Sequence, residues 1–153
     1  MSTTTGWSVP IANPVLPEPT SDEKTLAVLA HALQLISGFI APLIILLIKR
    51  ESKFVRFHAL QVLLLHIAYL VLLGGLMALF AIGAIATFPP MDARQPPIGF
   101  FLLFGSLWLG FMGAWVVMLV LAIVYAVKAG RGEWAMYPVV GRFAAKVAGV
   151  TLP

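Results

Sequence analysis

FHALQVLLLHIAYLVLLGGLMALFAIGAIATF, residues Phe57 to Phe88, contains no Asp, Glu, Lys or Arg. As a helix rising ~1.5 Å per residue it extends about 48 Å, well beyond the ~30 Å hydrocarbon core of a bilayer. Two more charge-free runs flank it, Thr25 to Ile48 and Ile98 to Val127, and each exceeds the ~20 apolar residues that a crossing needs. Strand alternation is absent from all three runs, and lipid offers backbone groups no hydrogen-bond partner. The pattern predicts an all-α membrane protein: a three-transmembrane-helix bundle, with helices about 25–48, 57–88 and 98–127 and a C-terminal amphipathic interfacial helix.

Composition agrees. Hydrophobic residues make up 61% of the chain, charged residues 10%, and the mean hydropathy is +1.00, which a water-soluble fold of this size could not cover. The chain has no cysteine, which excludes disulfides, thiolate metal sites and cysteine nucleophiles. The net charge of +4 reads as a topology signal rather than a nucleic-acid one, because the basic residues sit beside the hydrophobic runs. Lys24 precedes the first run; Lys49, Arg50, Lys53 and Arg56 fill the first connection; Arg94 lies in the second; Lys128, Arg131, Arg142 and Lys146 follow the third. With three crossings, the positive-inside rule places the N-terminus and the Pro89 to Pro97 connection outside, and the first connection and C-terminus in the cytoplasm of a bacterial inner membrane.

The expected organisation is a flexible Pro-rich tail over 1–22, one membrane domain over 23–148 and a short tail over 149–153. Asp22 is the expected N-cap of the first helix. Gly38 and Pro42 should kink that helix, either for packing or as a gating hinge. Small residues four apart, Gly74 with Ala78 and Ser106 with Gly110 and Ala114, should let helices two and three approach, with homodimer contact as the other use of such strips. Phe54, Val55 and Phe57 fit a segment entering at headgroup depth. Beyond Gly130 and Gly132, Val140, Phe143, Ala144 and Val147 fall at helical spacing, with Arg142 and Lys146 on another face, as in a surface helix about 139–148 that anchors to the leaflet or docks a soluble partner. Lys49, Arg50, Lys53, Arg56, Lys128, Arg131, Trp134, Tyr137, Arg142 and Lys146 are the expected headgroup anchors.

All six acidic residues lie outside the runs, which disfavours an intramembrane proton relay or a carboxylate metal site. No phosphate-binding glycine loop, HExxH pair or nucleophile elbow occurs. No catalytic residue, cofactor or metal is expected, and the chain does not read as an enzyme. The polar residues left inside apolar runs are His31, Gln34, His58, Gln61 and His66. His31 with Gln34, and His58 with Gln61, are three apart and share a helix face; the string His-Ala-Leu-Gln occurs at both places. With three helices crossing in series, Gln34 and His66 both reach the midplane, where an interhelical hydrogen bond between them is expected. Haem or metal ligation by two histidines would need a cleft that three helices scarcely provide.

Phe54-Val55-Arg56-Phe57-His58-Ala59-Leu60-Gln61, after a helix containing Gly38 to Pro42 and a basic connection, resembles the hallmark of the Tic-type small membrane proteins. That group includes the small membrane subunit of the chloroplast inner-envelope import translocon, many bacterial proteins of unassigned activity and some magnetosome-membrane proteins. The close, Lys128-Ala129-Gly130-Arg131-Gly132-Glu133-Trp134-Ala135-Met136-Tyr137-Pro138, is similar to the group's basic, Gly-Glu, aromatic-Pro ending. The chain departs from the plastid member in having three membrane runs rather than four. The resemblance implies a fold and a membrane setting. The functional expectation is a scaffold or accessory subunit, with the lipid bilayer and a membrane-protein partner or second copies of the chain as its partners. The alternative is an oligomeric pore or protein-translocation component.

Overall fold

The computed structural model describes residues 16–87 and 98–151. They form α1 (Ser21–Ser37), α2 (Ile40–Ile48), α3 (Lys53–Thr87), α4 (Ile98–Gly130) and α5 (Val140–Ala148), with no strand among the described residues. Most of the expected tail and the connection carrying Arg94 lie outside the described residues.

Thr20, rather than Asp22, caps α1. Its hydroxyl accepts the Glu23 N–H at 3.3 Å while the Glu23 carboxylate accepts the Thr20 N–H at 2.8 Å, the reciprocal pair that Thr-x-x-Glu spacing permits. The Ser52 hydroxyl, followed by Thr20, holds the Glu23 carboxyl below the ordinary carboxylate range. Glu23 thus lies between Thr20, which caps α1, and Ser52, which precedes α3.

The first apolar run does not form one helix. It breaks at Gly38, which adopts φ 61 and ψ −127, a conformation that favours glycine. The chain then folds back: Ala30 of α1 and Ile45 of α2 share one core cluster with Val55 and Ala59 of α3, flanked by Leu26 and Leu46. Pro42 is no kink in a continuous helix. It sits in the first turn of α2, where a missing N–H is tolerated. Ser37 stitches the break, its hydroxyl donating to the Leu33 carbonyl at 2.9 Å and accepting from the Ala41 N–H at 3.3 Å.

With 17 and 9 residues, α1 and α2 reach roughly 25 and 14 Å, too short to cross a ~30 Å core. The first run is thus a helical hairpin, and the expected three-crossing bundle reduces to two helices long and apolar enough to span, Lys53–Ala86 and Ile98–Gly130. The hairpin also moves the N-terminal side. Ala27 of α1, Phe54 of α3 and Ala129 of α4 form one cluster, so the start of α1, the Lys49 to Arg56 connection and the end of α4 share one end of the molecule. A start of α1 opposite that connection, as three crossings in series would require, does not fit this geometry. Nine of the ten Lys and Arg residues belong to segments at the shared end.

Aromatic contacts bring α3 and α4 together farther out: Tyr69 with Phe111 at 6.2 Å, and Phe80 with Phe100 at 6.2 Å and Phe104 at 6.3 Å between ring centres. These large rings hold the backbones apart, and the small-residue strips do not make the expected close contact. A Cβ added at Gly74 or Gly110 meets nothing within 4 Å. Ala78 and Ser106 are exposed, while Gly110 and Ala114 border a narrow crevice beside Tyr69.

α5 packs on α3 through Gly141, Ala144, Ala145 and Ala148, with Phe57 in the shared core and Leu60 and Leu64 beside it. This buried face consists of small residues, whereas Phe143 and Val147 of the expected apolar face point outward. Gly141 is required: a Cβ there would lie 2.7 Å from Met136 Cβ and 3.0 Å from Gln61 Oε1. The Arg56 guanidinium donates to the Val147 carbonyl at 3.1 Å, so it caps the last turn of α5 instead of standing free for headgroups. Phe54, Val55 and Phe57 are buried against protein. Val139, just before α5, is the central residue of a γ-turn, with φ 68 and the Val140 N–H donating to the Pro138 carbonyl at 2.8 Å.

Candidate functional site

At the shared end, the non-helical segment Glu133 to Tyr137 lies against α3 and α4, and its backbone needs partners that apolar surroundings do not supply. Buried side chains provide them. His58 Nε2 meets the Glu133 carbonyl at 3.2 Å, Gln61 Nε2 donates to the Ala135 carbonyl at 3.1 Å, and the Tyr125 hydroxyl donates to the Met136 carbonyl at 2.6 Å. Gln61 Oε1 accepts the Tyr137 N–H, so this amide pairs with the segment in both directions, as a neighbouring peptide group would.

The segment is also tied to α1. Tyr137 Oη lies 2.9 Å from His31 Nδ1, and His31 Nε2 lies 3.0 Å from His58 Nδ1. The Glu133 carbonyl can only accept, so His58 Nε2 carries its proton and, in the neutral ring, Nδ1 accepts. His31 Nε2–H then donates to His58 Nδ1, leaving His31 Nδ1 to accept from the Tyr137 hydroxyl. One direction satisfies all four ring nitrogens. Burial pushes the Tyr137 hydroxyl up from its ordinary range, which keeps it a donor. Phe54 and Phe57 close around His58 at 4.6 and 5.1 Å between ring centres, and Tyr125 stacks obliquely on Tyr137 at 4.1 Å.

Both His-Ala-Leu-Gln strings contribute. α1 and α3 run side by side from the same end, which sets His31 level with His58 and Gly38 level with His66: a Cβ on Gly38 would lie 3.7 Å from His66 Nε2. The depth arithmetic that paired Gln34 with His66 assumed that α1 entered from the opposite side, and that bond is not made. Gln34 sits beside Tyr137, but among the described residues neither of its amide atoms has a partner in hydrogen-bond geometry, nor do His66 Nδ1 and the Tyr69 hydroxyl.

The other expected anchors divide. Tyr137 is buried in the polar core, and Trp134 is half-buried against Phe54 and Phe57. Lys49 and Arg131 lie within 4.0 and 3.8 Å of Glu51 and Glu133, and Lys128 lies over the Tyr125 ring at 5.4 Å. Arg50, Lys53, Arg142 and Lys146 are exposed. Among the described residues no group of three or more His, Cys, Asp or Glu could hold a metal ion. The contacts made at the site are hydrogen bonds that join His31, His58, Gln61, Tyr125 and Tyr137 to one another and to the 133–137 backbone. Reading the sequence missed the polar-core roles of Tyr125 and Tyr137, since a tyrosine near a helix end looks the same whether it faces a headgroup or an internal carbonyl.

Residues 22–144 match the model of the magnetosome magnetite crystal formation protein family, a span that includes the whole polar core. The chain belongs to that family, a family of small magnetosome membrane proteins. No curated protein and no solved structure matches the chain.

Proposed function

We propose that this chain is an accessory, non-catalytic protein of the membrane in which magnetite crystals form. α3 and α4 cross the bilayer as a two-helix hairpin; the α1–α2 hairpin dips into one leaflet; the start of α1, α5 and nine of the ten basic residues lie on the cytoplasmic side. The observation that supports this reading most is how the buried polar side chains are used: His31, His58, Gln61, Tyr125 and Tyr137 satisfy one another and the 133–137 backbone. Such a core fixes the shape of a cytoplasmic platform on a membrane hairpin, which suits a scaffold. In magnetite-forming cells a tagged copy should co-purify with crystal-bearing membranes, and loss of the gene should change crystal dimensions. Even distribution over the cell envelope with unaltered crystals would overturn the assignment.

A second reading, an oligomeric pore or translocation component, draws on the break at Gly38 and the unpartnered amide of buried Gln34 beside the core, because interrupted helices in membranes often border a polar path. Solute or polypeptide passage in proteoliposomes, lost on Gln34→Leu, would favour it over the scaffold.

A further inference from the structure

One face of α5 serves neither the packing nor the polar core. With the small residues buried on α3, the 100° helical step puts Arg142 and Lys146 together on one outward arc and Phe143 and Val147 on the next. Phe143 is 69% exposed and Val147 54%. A groove of ≈ 650 Å³ runs along the cationic arc, bordered by Met136, Arg142, Lys146, Gly149 and Thr151. The described ion pairs join Lys24 to Glu18, Lys49 to Glu51 and Arg131 to Glu133; among the described residues neither Arg142 nor Lys146 has a carboxylate partner.

Two cations one turn apart with no carboxylate partner among the described residues, edged by a hydroxyl and adjoining an exposed apolar arc, call for an anion that carries an apolar body. We infer that this groove seats the phosphate of an anionic membrane lipid, with Arg142 and Lys146 on the headgroup and Phe143 and Val147 in the upper acyl layer. The end of the molecule favours this occupant over a protein helix: α5 lies beside Phe57 to Leu64 of α3, where the chain passes from charged to charge-free sequence, and basic residues crowd there. The inference rests on the membrane placement proposed above and adds a lipid preference to it. It does not depend on the role in crystal formation.

The chain lacks cysteine, so Val147→Cys in the full-length protein can carry a single polarity-sensitive fluorophore. In nanodiscs of phosphatidylcholine the label should emit as if near water, and adding phosphatidylglycerol should shift it to the blue. Arg142→Gln with Lys146→Gln should abolish that shift, while Arg50→Gln with Lys53→Gln, which removes equal charge from the same end, should leave it, as should excess inorganic phosphate. A blue shift equal in both lipids, or one that survives in the Arg142 and Lys146 double variant, would show apolar anchoring without headgroup recognition and overturn the inference. Loss of the shift with inorganic phosphate would reassign the groove to free anions. A water-like signal in every disc would mean that α5 faces away from lipid. Because the discs contain no crystal, none of these outcomes bears on whether the protein serves mineral formation.

Discussion

His31 and His58 meet ring to ring, Nε2 to Nδ1 at 3.0 Å, with the Tyr137 hydroxyl closing one end of the chain and the Glu133 carbonyl the other. Three segments far apart in sequence depend on that one row of protons. If it holds α1, α3 and the 133–137 segment together, Tyr137→Phe leaves His31 Nδ1 buried without a donor and should cost about 1–3 kcal/mol. Combined with His31→Leu, the total should be smaller than the sum of the two single losses, because the double variant leaves only His58 Nδ1 unpaired. Denaturant unfolding in detergent measures both; losses that simply add would show that the two residues act separately.

Glu23 supplies a pH-dependent tie between α1 and α3. Its carboxyl is held below its usual value of 4.5 by Ser52 and Thr20, so its contribution is present above that value and is lost as the pH falls through the lower, folded-state value. The thermal midpoint of the wild type should fall more between pH 7 and pH 3 than that of Glu23→Gln. Parallel profiles would mean that Glu23 does not tie the two helices.

Glycines should separate sharply by position. Gly141→Ala forces a carbon within 2.7 Å of Met136 and 3.0 Å of Gln61 Oε1 and should destabilise by about 1–3 kcal/mol. Gly74→Ala meets nothing within 4 Å and should be neutral or raise stability by up to ~1 kcal/mol through helix propensity. Comparable losses at both positions would contradict the open geometry around Gly74.

Val139 holds φ 68 in its γ-turn, a conformation that costs a β-branched residue roughly 1–3 kcal/mol. Val139→Gly should release most of that strain and raise the melting temperature despite the chain entropy that glycine adds. A lower melting temperature would show that the Val139 side chain contributes more than the turn costs.

Long charge-free runs disclosed the helical, membrane-bound character of the chain, and α3 and α4 follow them closely. Spacing also marked His31, His58 and Gln61 as residues that need partners. What stayed hidden was the reversal at Gly38. A Gly followed four residues later by Pro describes a kink and a hairpin equally well, and the difference is decided by tertiary contacts such as Ala30 with Ile45. Counting basic residues along the chain inherited that ambiguity: the same low-high-low-high series accommodates three crossings, or two crossings with a hairpin. The partner assignments followed from the direction of α1, so placing its start at the same end as α3 replaced Gln34 with His66 by His31 with His58.

That shared direction is the central claim, and cysteine labelling tests it without background because the chain has none of its own. Single cysteines at Ser21, Arg50 and Thr151, probed with a membrane-impermeant maleimide in intact cells and in inverted vesicles, report the side on which each residue lies. The hairpin account predicts that all three react in inverted vesicles and stay protected in intact cells. Labelling of Ser21→Cys in intact cells, with Arg50→Cys still protected, would contradict it and restore a first helix that crosses the membrane.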